Sequence, residues 1–179
     1  MNQQIDYSKF RISRLERNET IESFDCEDAD LNDFILREAP LYQDALLAVT
    51  YIAKFDDHPI AYFSLANDRV SLGDFENKTE FNRFRKHRFV NEKRLKSYPA
   101  VKVCRFAVDK DYRGSGIGTV LMDFIKDYFI DNNKTGCRFI TVDAYLNAIS
   151  FYEKNDFIPL LPNDTDEHTR LLYYDLRED

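Results

Sequence analysis

The sequence predicts an α/β chain, an α+β mixed sheet with helices flanking it, and three observations carry the prediction. Apolar, β-branched runs at Leu46–Phe55 and Ile60–Val70 enclose Asp56-Asp57-His58-Pro59, the turn chemistry of a hairpin. The second half alternates strand and helix, which places a parallel pair inside the sheet. Within that half Val101–Ile130 reads as strand, glycine loop and amphipathic helix, and three of the five glycines (Gly114, Gly116, Gly118) fall there within five positions.

In chain order, Phe10–Leu15 alternates and reads as a first strand. Glu27–Ala39 reads as a helix, with Leu31, Phe34, Ile35 and Leu36 at helical spacing and Asp28 or Asp30 as N-cap. Pro40 is expected to end or interrupt it. After the hairpin, Glu76–Lys96 disperses Phe81, Phe84, Phe89 and Leu95 among charges, a helix packing one side. Pro99 introduces the central strand, Val101–Val108, and Asp109–Tyr112 is polar loop. Ile117, Leu121, Phe124, Ile125 and Tyr128 then keep one helix face apolar. Arg138–Val142 reads as a buried strand, and Asn147–Lys154 as a short helix burying Ala148, Phe151 and Ile149. Phe157–Leu161 and Leu171–Leu176 close the chain as strands about the acidic turn Pro162–Glu167.

Length bounds this to one domain, 1–179, and 44% hydrophobic with 32% charged residues is globular chemistry. The apolar runs are too short to span a bilayer, and MNQQIDYSKF lacks the basic start and apolar core of a signal peptide. Three cysteines (Cys26, Cys104, Cys137) without CxxC spacing argue against a disulfide framework and a zinc site, and suit the reducing cytoplasm. No metal is expected. The net charge of −7 hides a segregation: Glu76–Lys96 carries eight Lys/Arg against three acids, which leaves −12 on the rest. Bulk charge disfavours nonspecific nucleic-acid binding, yet that segment offers phosphate a local patch. A solvated helix face is its plain reading.

Glycine lets backbone approach a ligand closely, and a loop of free N–H groups entering a helix is an anion site. A Walker A loop would end Gly-Lys-Ser/Thr, whereas Gly118 is followed directly by Thr119. A Rossmann fingerprint needs G-x-G-x-x-G at the start of a βαβ series, and here the spacing differs and hairpin and helix come first. Arg113-Gly114-Ser115-Gly116-Ile117-Gly118 instead resembles the acetyl-coenzyme A motif of the GNAT superfamily of N-acetyltransferases, following a strand like Arg105-Phe106-Ala107-Val108-Asp109. Asn147-Ala148-Ile149-Ser150-Phe151-Tyr152-Glu153-Lys154 looks like that family's second signature. Where the family has Gly-Phe next, this chain has Asp156-Phe157, which bears on turn geometry. The resemblance spans about residues 10–176 and is strongest over 100–157.

The resemblance implies a GNAT-like acyl-CoA N-acyltransferase fold, its mixed sheet splayed at the cofactor, and acetyl-CoA as co-substrate. Arg113 and the amides of Gly114, Ser115, Gly116, Ile117, Gly118 and Thr119 would surround the pyrophosphate. Backbone of Phe106, Ala107 and Val108 would meet the pantetheine arm, although apolar side chains there also have a plain core reading. Asn147 would contact pantetheine or cap its helix. Tyr152 matches the family tyrosine that stabilises the leaving thiolate, against the alternative of a buried packing residue. Its pKa of about 10 against about 8.5 for a thiol makes full proton transfer uphill by roughly 2 kcal/mol, so a hydrogen bond is the expected contribution.

No base is evident among His58, His87 and His168. Freeing a lysine amine at pH 7 costs about 4.6 kcal/mol, an α-amine roughly 1–1.4, so an enzyme without a strong base suits α-amino acceptors. Phe24-Asp25-Cys26, Leu31-Asn32-Asp33-Phe34-Ile35 and Tyr98-Pro99-Ala100 look like the toxin-type GNATs of bacterial toxin–antitoxin pairs, a branch that acetylates the α-amine of aminoacyl-tRNA. The resemblance then implies tRNA contact through Glu76–Lys96, an antitoxin partner and a homodimer. The general expectation is acetyl transfer to a primary amine, with the aminoacyl-tRNA toxin and a non-catalytic acyl-CoA sensor as alternatives.

Overall fold

A computed structural model describes residues 9–131, 133, 135–162 and 164–177. Residues 1–8, read above as unlike a signal peptide, and Asn163 of the acidic turn lie outside them. Among the described residues no helix is long and apolar enough to cross a membrane. Among the described residues seven strands form one open mixed sheet, in the order β1 (Phe10–Arg14), β2 (Val49–Phe55), β3 (His58–Ser71), β4 (Ser97–Val108), β5 (Phe139–Tyr145), β7 (Thr169–Asp175) and β6 (Ile158–Pro159). The chain divides into two compact units, Met1–Ala66 with Val103–Asp127 and Asn67–Lys102 with Tyr128–Asp179.

In the first unit β1 (Phe10–Arg14) and β2 (Val49–Phe55) pair antiparallel, and β2 continues into β3 (His58–Ser71). The hairpin turn is tighter than predicted, because Asp56 and Asp57 alone make it, at φ 46° and 66°. Both central residues at positive φ give the backbone twist that matches right-twisted strands. His58 and Pro59 belong to β3, and the register slips between Ala53 and Lys54, opposite the proline that has no N–H to offer.

The first helix overruns the proline expected to stop it. α1 (Ala29–Asp33) is capped by Asp28, whose side chain accepts from the Leu31 amide. A π-helical turn, Phe34–Glu38, follows and leads into α2 (Ala39–Asp44), with Pro40 in its first turn. The wider turn sits where a proline ring would otherwise meet the carbonyl four residues back. α2 ends in a Schellman motif: Leu47 N–H reaches Tyr42 O (2.9 Å) and Leu46 N–H reaches Gln43 O (3.1 Å). Leu46 takes the left-handed position (φ 58°), so β2 begins at Val49 rather than Leu46, and Leu46 and Leu47 are exposed. Phe24, Phe34, Ile35, Ile52, Tyr62 and Ala107 form the core of this unit. α4 (Ile117–Ile130) buries Ile117, Leu121 and Ile125 as predicted, and Phe124 leans against Tyr51 and Phe63.

In the second unit α3 (Lys78–Arg88) starts at Asn77, which accepts from the Thr79 and Glu80 amides. Phe81 and Phe84 face the core with Val70, Tyr98, Phe139 and Tyr173, and Phe89 stacks on Tyr98 at 4.0 Å. Leu95, expected to pack with them, is exposed because the chain after α3 turns through Asn91–Lys93. β4 (Ser97–Val108) starts before its predicted first residue and includes Pro99, whose carbonyl accepts from Arg138 N–H (2.9 Å). β5 (Phe139–Tyr145) runs parallel to β4, and their register covers Ala100–Lys102 against Phe139–Thr141. β7 (Thr169–Asp175) pairs antiparallel with β5, and β6 shrinks to Ile158–Pro159. Asp175 is fully buried between two arginines: Arg138 donates to it (2.8 Å) and Arg88 Nε lies at ion-pair distance (3.2 Å), its guanidinium over the Phe84 ring.

Candidate active site

The predicted cofactor residues of the first unit lie on one continuous path. Phe106 and Val108 are half-buried at the end of β4, while Ala107 is a core residue. Asp109 N–H donates to Ile60 O (2.8 Å), fixing where β4 leaves the sheet. The Asp109 carboxylate then caps the single turn Lys110–Tyr112 through the Asp111 amide (3.0 Å). Gly114 and Gly116 adopt φ 73° and 88°, and a Cβ built on either would meet nothing within 4 Å. Their requirement in this loop is backbone conformation, because side chains rarely take positive φ. Gly116 O accepts from Val120 N–H (3.1 Å), which makes Gly116 the first residue of the α4 hydrogen-bond ladder. The N–H groups of Ile117, Gly118 and Thr119 therefore have no partner inside the helix, at the end where its dipole is positive. Ser115 turns its hydroxyl back to Tyr112 O (2.5 Å). This is the geometry of an anion cradle.

Arg113 is held rather than free. Its Nη1 donates to Glu27 Oε2 (2.5 Å) and its Nη2 to the Cys26 carbonyl. The turn that offers these two acceptors is itself tied to the loop by residues the sequence reading had not placed in the site. Asp25 N–H donates to Asp109 Oδ2 (3.1 Å), Lys110 N–H to Asp25 O (2.8 Å), and Lys110 Nζ to Asp25 Oδ2 (2.7 Å). The Lys110 ammonium, helped by the Glu27 amide and Asn32, holds the Asp25 carboxyl down to about 2. Asn32 Oδ1 accepts from the Cys26 amide (2.8 Å), and burial pushes the Cys26 thiol up. Asp25, Cys26 and Asn32 are among the residues of the toxin-type resemblance, and that was their signal in the sequence. A cavity of about 380 Å³ in this unit is lined by residues 14–17, Gln43, Asp44 and Leu46, none of them predicted.

In the second unit Tyr152 sits in α5 (Ile149–Glu153), which follows the turn Leu146–Ala148. It is Tyr152 that this helix buries, to 6% exposure, while Ala148, Ile149 and Phe151 are half-buried. Tyr152 packs edge-on to Phe151 (5.2 Å) and Phe157 (5.5 Å), and its carbonyl accepts from Asn155 and Phe157. Burial pushes its phenol above the ordinary value, so at neutral pH it stays protonated and able to donate. Asn147 is exposed, and the N-cap of α5 is Ala148. Asp156, where the family pattern has glycine, takes φ 66°, a conformation aspartate tolerates better than most side chains.

Five cations of the basic segment (Lys78, Arg83, Lys86, Lys93, Lys96) are exposed. Arg88 is turned inward to Asp175, Arg85 to Leu95 O and Arg94 to Phe89 O. Among the described residues no group of three or more His, Cys, Asp or Glu could hold a metal ion.

Comparison with known proteins bears on all of this. A family model described as an acetyltransferase (GNAT) domain matches residues 48–159. No curated protein sequence matches the chain. Among solved structures, a tyrosine-to-phenylalanine mutant of KacT is 22% identical at TM-score 0.75, covering 94% of this chain and 96% of that one. AtaT complexed with acetyl-methionyl-tRNAfMet is 19% identical at TM-score 0.70, covering 93% and 94%. A protein described as a bacterial toxin is 13% identical at TM-score 0.75, covering 94% and 91%. These likenesses establish a shared fold along nearly the whole chain.

Proposed function

The chain belongs to the GNAT acetyltransferases, enzymes that move acetyl from acetyl-CoA directly to a primary amine, and from that premise we propose that its acceptor is the α-amine of an aminoacyl-tRNA. The observation that carries this reading is the exposed cation face of α3 and the turn after it, on a chain that is otherwise acidic. Interior arginines such as Arg88 have structural partners, whereas Lys78, Lys86, Lys93 and Lys96 are left facing solvent, where they can neutralise phosphates. AtaT, alike in fold along its length, is described with acetyl-methionyl-tRNAfMet and in complex with the antitoxin AtaR, which supports the same acceptor class and an antitoxin-type partner here.

In this reading the loop amides of 114–119 and Arg113 bind the pyrophosphate of acetyl-CoA. The backbone of Phe106, Ala107 and Val108 pairs with the pantetheine arm and polarises the thioester carbonyl through an N–H, as in other oxyanion sites. Asn147 contacts pantetheine. Tyr152, whose phenol is protonated at neutral pH, donates a hydrogen bond to the sulfur as the carbon–sulfur bond breaks. The amine attacks unprotonated, and for an α-amine the loss of that proton to water costs only about 1–1.4 kcal/mol at pH 7. Residues 1–179 act as one acetyltransferase domain, in the cytoplasm and as a homodimer.

Thiol release from acetyl-CoA tests the acceptor, with charged tRNA, free amino acids, peptides and polyamines as the panel. Charged tRNA is expected to release coenzyme A, and Lys78→Glu with Lys86→Glu and Lys93→Glu should raise its KM at least tenfold. Turnover of free amines with none on charged tRNA would replace this acceptor with a small-molecule one.

A further inference from the structure

We propose that Glu27 is a positioning residue for the cofactor loop: with the Cys26 carbonyl it fixes the guanidinium of Arg113 before acetyl-CoA arrives. The inference rests on the reading that Arg113 meets the pyrophosphate. Its first ground is conformational. Glu27 sits at φ 60°, in the left-handed region that glycine occupies without cost and a glutamate does not. What the side chain does there is accept from Arg113 Nη1 at 2.5 Å. With 62% and 51% of the two side chains exposed, such a pair adds little to stability, so its effect lies in orientation.

The second ground is the rigidity of what holds the arginine. Arg113 is gripped at two points, Nη1 by Glu27 and Nη2 by the Cys26 carbonyl. Cys26 is buried, at 3% exposure, and its amide donates to Asn32 Oδ1 (2.8 Å). The Glu27 amide donates to Asp25 Oδ1 (2.9 Å), and Asp25 is held in turn by Asn32 and Lys110. Both acceptors thus stand on a turn held by hydrogen bonds to Asn32 and Lys110, and that turn is bonded to the segment leading into the glycine loop. A guanidinium has five N–H donors, and a two-point hold leaves three for phosphate oxygens. The entropy of ordering a long side chain is then met on folding instead of on binding.

Isothermal titration with acetyl-CoA tests this on the intact protein. Glu27→Ala should weaken binding about 3- to 10-fold, the cost of immobilising one rotamer-rich side chain. Glu27→Gln, which keeps an acceptor oxygen, should stay within about twofold of wild type, since the hold depends on the hydrogen bond. Glu27→Gly should bind as weakly as Glu27→Ala while melting no lower than wild type, which separates positioning from damage to the fold. On an Arg113→Ala background the Glu27→Ala effect should vanish. Tighter binding by Glu27→Ala would make the carboxylate a competitor of the pyrophosphate and overturn the proposal, as would a Glu27→Ala loss that persists without Arg113. If Arg113→Ala binds normally, the role given to the arginine fails and this inference with it. If Arg113→Ala is weak and Glu27→Ala is normal, the inference about Glu27 alone fails.

Discussion

The side chain to which the proposed function gives the most specific chemical task is Tyr152, and its surroundings define the form that task would take. Enclosed by Phe151 and Phe157 at 6% exposure, the phenol has its pKa raised by burial. A raised value makes complete proton transfer to a thiolate harder than the roughly 2 kcal/mol set by ordinary phenol and thiol values. It also keeps the O–H intact for hydrogen bonding across the working pH range. Tyr152→Phe should therefore lower kcat by about 10²-fold or more, the scale of losing one positioned donor, while acetyl-CoA affinity stays within a small factor. Rapid-quench turnover beside calorimetric binding would check both halves. This residue and the glycine motif stand out in the sequence as candidates because each belongs to a short contiguous signature. Glu27 and Lys110 were not, because their partners lie more than eighty positions away and neither forms a local pattern.

At the level of elements, α3 shows what composition hides. Its charges read as a solvated face, yet Arg88 runs inward to the fully buried Asp175 of β7, together with Arg138 from just before β5. Opposite charges inside a core must be matched, since an unpaired one meets the full desolvation cost. Asp175→Asn should therefore destabilise the protein by about 3–5 kcal/mol, leaving two guanidinium groups without their carboxylate. Urea unfolding would measure it, with an unchanged slope expected if the denatured state is unaffected. The apolar spacing of Phe81 and Phe84 did reveal the helix, because that signal is local. Its boundary was harder to read, since Leu95 continues the apolar spacing beyond the point where Phe89 turns the chain. A similar limit applied at Pro40: spacing marks the proline as a break, and the π-helical turn that lets the helix continue through it has no spacing signature.

For the whole molecule, the alternation of strands and helices was legible, while the division into two compact units was not. Strands β3 and β4 each belong partly to one unit and partly to the other. Because a strand cannot be half folded without fraying its ladder, we expect a single cooperative transition. Far-ultraviolet circular dichroism and tyrosine fluorescence should give coincident melting curves, and calorimetric and van't Hoff enthalpies should agree. Two resolved transitions would mean two domains in place of one. The same interleaving bears on the gene. The shortest contiguous fragment holding all of the first unit, 1–127, also carries 67–102 of the second. The shortest fragment holding all of the second, 67–179, also carries 103–127 of the first. Neither unit can be lifted out as one contiguous cassette or exchanged by a single recombination.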